Sequence, residues 1–169
     1  MSASTRVVFV IALAAVAAPA SSSAATSAVQ VELDRIVSRV NGRVITQSDV
    51  RQARALKLVD DVSSDEAVQR AVENRFLILG EMNRAAPIAP PSDAEIAAHR
   101  TSWAGAIGPD TAGQMTRNGM SENDLQAWLR DDLRIGAYLK RQFGMLPEGD
   151  RTRATDDWLN RLRVRADLK

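Results

Sequence analysis

Hydrophobic and polar positions along this chain fall into stretches of helical period separated by short polar breaks. After "LDRIVSRV" (33–40), rich in β-branched residues, come Asn41 and Gly42 and then "RVI" (43–45). Asn-Gly supplies the two positive-φ residues of a type I′ turn, so this stretch predicts a β-hairpin. Thr46 stands three before Asp49, the spacing of a capping box. In that motif the hydroxyl accepts from the third helical N–H and the carboxylate accepts from the cap N–H. The spacing recurs as Ser63 with Glu66, Ser92 with Glu95 and Ser121 with Asp124, each before a run of period 3.6. Helices are predicted from 47 to about 59, over 64–85, through a third segment ending near 107, over 111–117, and over 122–143, the longest. The second carries Val68, Val72, Phe76, Leu79 and Met82 on one face, widened by Leu77 and Ile78, and should be central to the core. "PIAPP" (87–91) ends it as a stiff connection. The third presents Ile96, His99 or Arg100, Trp103 and Ile107. The longest presents Leu125, Trp128 or Leu129, Leu133, Gly136 and Leu139. "GMLPEGDR" (144–151) reads as a loop, and 156–163 as a helix anchored by Trp158, Leu159 and Leu162. In the tail, Val164, Ala166 and Leu168 alternate with charged residues, which suggests a closing β-strand. The fold class is mostly α: a helical core with a small N-terminal β-hairpin and a C-terminal strand.

The start of the chain has a different pattern. Arg6 is the sole charge before Glu32, and the apolar run "VVFVIALAAVAA" (7–18) is followed by "PASSSAA". This is the charged, apolar and small-residue order of a secretory signal. Twelve apolar residues fall short of the ~20 that span a bilayer as a helix. Cleavage is expected after Ala25, with Ala20 as the alternative, and residues 26–32 as a disordered lead. No cysteine stands at either junction, which argues against a lipoprotein. The expected destination is across the inner membrane, with no membrane span after cleavage.

Composition narrows the function classes. With 169 residues and 45% hydrophobic content, the chain suffices for one compact domain. Aromatics at 4% fit an Ala/Leu/Val-rich helical fold. The net charge is +1, with no dense basic cluster, so no nucleic-acid partner is expected. The absence of cysteine excludes disulfides, a Cys-ligated metal and a thiol nucleophile. His99 is the single imidazole, and with no second ligand nearby it reads as a boundary residue. The pairs Asp60-Asp61, Asp131-Asp132 and Asp156-Asp157 are adjacent in sequence, and adjacent helical side chains diverge by ~100°. Asp156-Asp157 suits the dipole at a helix start. No phosphate loop, nucleophile elbow or HExxH motif appears. No catalytic residue, metal or cofactor is therefore expected.

A binding surface remains. Methionine is unbranched and polarizable, and suits an adaptable, weakly selective groove. Met115, Met120 and Met145 are candidate client-binding residues, with Trp103 and Trp128 adding flat contact area. Met82 and Trp158 are assigned to the core.

Several stretches resemble the SurA-type periplasmic chaperones. "LDRIVSRVNGRVITQSDVRQARAL" is similar to the family's opening: a valine-rich strand, an Asn-centred turn, a second strand and a helix. "AVENRFLILGEMNRAAPIAPPSDAEIAAH" is similar to its next two helices, "GMSENDLQAWLRDDLRIGAYLKRQF" to its long helix, and "WLNRLRVRADLK" to its closing helix and strand. The order of these pieces, over 33–169, carries the likeness. The resemblance implies a domain in which the last strand joins the hairpin, a three-stranded clamp more stable than an isolated hairpin. It also implies a nucleotide-free, ATP-independent holdase for unfolded or nascent exported chains, such as outer-membrane proteins, and a tail strand able to swap in a homodimer. Family members commonly insert a parvulin prolyl isomerase between the long and closing helices. Here residues 144–152 leave no room for one. The alternatives are a degenerate or split prolyl isomerase, and an adaptor docking one folded partner.

Overall fold

A computed structural model describes residues 34–60, 63–85 and 87–168. The expected signal segment and lead lie outside these residues. The chain runs β1 (Ile36–Val40), β2 (Arg43–Thr46), α1 (Gln47–Ala55), α2 (Asp65–Arg84), α3 (Asp93–Ile107), α4 (Thr111–Arg117), α5 (Glu122–Phe143) and α6 (Glu148–Arg165). The fold is mostly helical with one small antiparallel sheet.

Asn41 (φ 50°) and Gly42 (φ 81°) close the hairpin in the left-handed region, as a type I′ turn requires. Val40 pairs with Arg43 and Ser38 with Ile45, and a bulge at Val37 shifts the register by one residue, so that Ile36 pairs with Thr46. The hairpin tip docks on α2: the Asn41 amide donates to the Phe76 carbonyl at 3.0 Å. Gly80 makes room for it, because a Cβ there would fall 2.1 Å from Asn41 Nδ2. Helix propensity alone gives Gly→Ala a gain of roughly 1 kcal/mol. The clash reverses the sign, and Gly80→Ala is expected to cost about 1–2 kcal/mol in urea denaturation. Asn41→Gly on that background removes the clash while keeping the turn, and should recover most of the loss.

Capping boxes form at Thr46–Asp49, Ser92–Glu95 and Ser121–Asp124. At α2 the cap is Ser64, one residue later than the spacing suggests. Its hydroxyl accepts from Ala67 N–H at 3.1 Å, which moves Glu66 out of the third helical position.

Helix ends depart further from the sequence pattern. α1 stops at Ala55 rather than near residue 59, because Lys57 enters the left-handed region (φ 46°). Leu58 N–H then reaches Ala53 O at 2.8 Å and Lys57 N–H reaches Arg54 O at 3.2 Å, the two bonds of a Schellman motif. This reversal buries both Leu56 and Leu58. Two tryptophans fasten it. Trp103 Nε1–H donates to Leu56 O at 2.8 Å, and Trp128 Nε1–H donates to Leu58 O at 3.2 Å.

The expected loop over 144–151 is short, because α6 begins at Glu148 directly after Pro147, with Glu148 and Asp150 in its first turn. The expected closing strand is absent among the described residues, where the sheet has two strands. The tail stays helical to Arg165 and ends in a second Schellman motif: Asp167 takes φ 53°, and Leu168 N–H donates to Arg163 O at 3.0 Å. The period-two alternation of the tail reflects this reversal, which turns Ala166 and Leu168 onto the core. The hairpin is held by α2 in place of a third strand.

α2 packs against α1, α5, α6 and β1. Val40, Ile45, Val50, Leu56, Val68, Val72, Leu125 and Leu129 are the large side chains fully buried in the main core. A smaller cluster of Ile78, Met82 and Tyr138 joins α2 to α5, and Trp158 and Leu159 of α6 pack against both clusters.

Candidate functional site

The five residues nominated as client contacts do not form one surface. Met115 (6% exposed) and Met120 (7%) are core residues. They occupy the two ends of a third Schellman motif, at the exit of α4. Gly119 takes φ 66°, and Met120 N–H donates to Met115 O at 3.0 Å. An apolar contact between those two positions commonly accompanies this motif. Trp103 is buried, and Trp128 is half-buried beneath a guanidinium, with Arg75 Cζ 3.9 Å from its ring centroid. Met145 alone is fully open, at 98% exposed in the turn before α6.

α2 carries two buried charges on opposite sides. Glu73 receives Arg163 of α6 at 2.8 Å and the Gln69 amide at 2.9 Å. Arg75 pairs with Asp132 of α5 and donates to Trp128 O at 2.7 Å. Burial pushes the Asp132 carboxyl above the ordinary carboxylate range, against the downward pull of Arg75, and burial likewise lowers Arg75. His99 Nε2 lies 3.5 Å from the other Asp132 oxygen, the outer limit of a hydrogen bond. With Asp132 engaged by Arg75, this contact is peripheral to the ion pair.

A cleft of about 380 Å³ opens between β2, α1, α2 and α5; it brings together two of the nominated residues, Met120 and Trp128, with Arg43, Asp49, Arg75, Phe76, Asp124 and Asp131 also in its lining. Its carboxylates and Arg75 are committed internally, Asp124 through the cap of α5. Asp49 caps α1, Asp131 pairs with Arg134 at 2.9 Å, Arg75 holds Asp132, and Arg43 rests 4.2 Å from the Phe76 ring centroid. The Arg43 guanidinium has only this ring contact and no ion pair or hydrogen bond among the described residues, so the cleft keeps one cation and no uncommitted carboxylate beside it. Among the described residues no group of three or more His, Cys, Asp or Glu is placed to hold a metal ion.

The largest of the described grooves, about 630 Å³, runs along α6 and is lined by Trp158, Asn160, Arg161, Leu162, Val164 and Arg165. It is open and mainly apolar. Trp158 is fixed from behind by Phe143, edge-on at 5.7 Å, and by Tyr138 at 6.0 Å. Leu162 turns inward, while Val164 stands 80% exposed on the outer face. Arg165 reaches Glu81 at 3.1 Å.

No family model, curated protein or solved structure matches this chain. Functional assignment therefore rests on the surface itself.

Reading Val164 as part of a strand hid this groove in the sequence. The available signal was helical spacing: Arg161 and Arg165 are four apart, with Val164 between them, on the side of α6 away from Leu159 and Leu162.

Proposed function

We propose that the chain is an exported SurA-like holdase, which binds unfolded outer-membrane or secreted polypeptides without nucleotide or metal and works in the periplasm. The observation that carries the reading is the open apolar groove on α6, where a rigidly backed indole and an exposed valine offer contact area to a passing chain. Exposed aliphatic and aromatic surface in a concave setting suits weak, sequence-tolerant binding of apolar segments. The apolar contact surface moves from the methionines nominated in the sequence to Trp158 and Val164.

Titration of an unfolded β-barrel membrane protein into the purified protein tests this. Binding in the micromolar range is expected. Val164→Asp should weaken it by about tenfold, since a carboxylate on the groove wall must be desolvated by the client. The substitution should move stability by no more than about 0.5 kcal/mol, because the site is on the surface. Undiminished client binding by Val164→Asp would place the contact elsewhere.

A second reading, an adaptor for one folded partner, is favoured by Met145 and Leu146. Both are exposed in the turn between α5 and α6, where the resembled family inserts its isomerase domain. Loss of partner capture, with client binding intact, in Met145→Asp would mark that reading.

A further inference from the structure

We propose that the α6 groove selects apolar client segments flanked by acidic side chains, an inference that rests on the holdase reading and names its preferred substrate. The apolar lining that reaches solvent is Trp158 and Val164, with Leu162 buried beneath, and two guanidiniums, Arg161 and Arg165, border it. Residues four apart on a helix lie on one face with Cβ atoms ~5–6 Å apart, so the two cations flank the same strip of surface. Their placement next to each other is mildly unfavourable for the helix by itself.

Arg165 is partly neutralised by Glu81 at 3.1 Å. Arg161 makes no ion pair or hydrogen bond among the described residues. Asp157, one turn before it on α6, lies beyond ion-pair distance. This sets Arg161 apart from Arg75 of the second cleft, which is held by Asp132.

The helix dipole favours cations in the last turn, where Arg163 and Arg165 lie, each also paired with a carboxylate of α2. Arg161 precedes the last helical residue by four positions, where that effect has faded. An uncommitted cation beside an apolar groove is complementary to a carboxylate that follows or precedes a buried apolar side chain. A guanidinium also serves this role with directional, forked donors. Asn160 adds an amide at the same rim, able to meet the backbone of an extended peptide.

The test uses fluorescence anisotropy with two labelled peptides that share a Leu-Phe-Leu core, one flanked by aspartates and one by lysines. The aspartate-flanked peptide is expected to bind about three- to tenfold more tightly at low salt, and the preference should shrink at 0.5 M salt as screening sets in. Arg161→Gln should remove most of the preference, and Arg161→Glu should reverse it, with the thermal midpoint of each variant showing that the fold is kept. Equal affinity for both peptides in the unmodified protein overturns the selectivity while leaving the holdase reading standing. Failure to bind either peptide, or an unfolded β-barrel protein, overturns both. A preference that persists in Arg161→Glu overturns the assignment to this groove.

Discussion

Trp103→Ala is expected to lower the unfolding free energy by about 3–5 kcal/mol, the range for truncating a large buried aromatic. Two losses combine. The indole leaves a cavity in the main core, where it packs with Leu56, Leu58 and Met115 among its cluster. Its N–H also leaves the Leu56 carbonyl, which it meets at 2.8 Å and which has no intrahelical donor at the exit of α1. Trp103→Phe separates the two. It keeps most of the volume and removes only the donor, and should cost about 1–3 kcal/mol, the price of an unsatisfied buried acceptor. Urea denaturation followed by far-UV circular dichroism measures both. A loss below about 1 kcal/mol for Trp103→Ala would mean that the indole is a surface contact rather than the clasp of the α1 exit.

Asp132→Ala is expected to cost about 3 kcal/mol, because it strands Arg75 as a buried cation. Arg75 would retain the Trp128 carbonyl at 2.7 Å and the face of its ring, which keeps the loss at the lower end of the range for broken buried pairs. The paired replacement Arg75→Met with Asp132→Leu should be close to neutral. Burial shifts both partners toward their uncharged forms, so desolvation outweighs their mutual attraction. The pH dependence follows from the direction at Asp132. A carboxyl whose pKa is raised in the folded state binds its proton more tightly there than in the unfolded chain. Its contribution to stability is complete below the unfolded value, roughly 3.9, and is lost as pH rises through the raised folded value. The double variant lacks this loss. Its stability relative to the unmodified protein should therefore increase as pH rises from about 4 through the raised folded value. A relative stability that falls over that window would show that the ion pair, once formed, is net stabilising.

The hairpin and most helix starts were legible in the sequence because they depend on local chemistry. Asn41-Gly42 can supply two left-handed residues whatever surrounds them, and three of the four capping boxes need only the spacing of a hydroxyl and a carboxylate. Helix ends were less legible because two of them use left-handed residues that are not glycine. Lys57 and Asp167 pay that conformational cost to turn Leu58 and Leu168 back onto the core, a tertiary demand without a local signature. The candidate surface was obscured for the same reason. Met115 and Met120 stand beside a glycine and a serine and look like loop residues, yet the α4 exit folds them inward. Val164 looks like an inward position of a strand, yet the extension of α6 turns it outward. Nor did sequence reasoning find the Arg75–Asp132 and Glu73–Arg163 pairs, since partners 57 and 90 positions apart have no shared local pattern.

Suppression of aggregation is the measurement that bears most directly on the account. An unfolded outer-membrane β-barrel protein is diluted from denaturant into buffer with and without the purified protein, and light scattering is followed without nucleotide or added metal. A prolyl-peptide isomerisation assay is run on the same preparation. The account predicts suppression at near-stoichiometric protein, weakened by Val164→Asp, with no isomerisation. Unchanged scattering, whether or not isomerisation is detected, would contradict it.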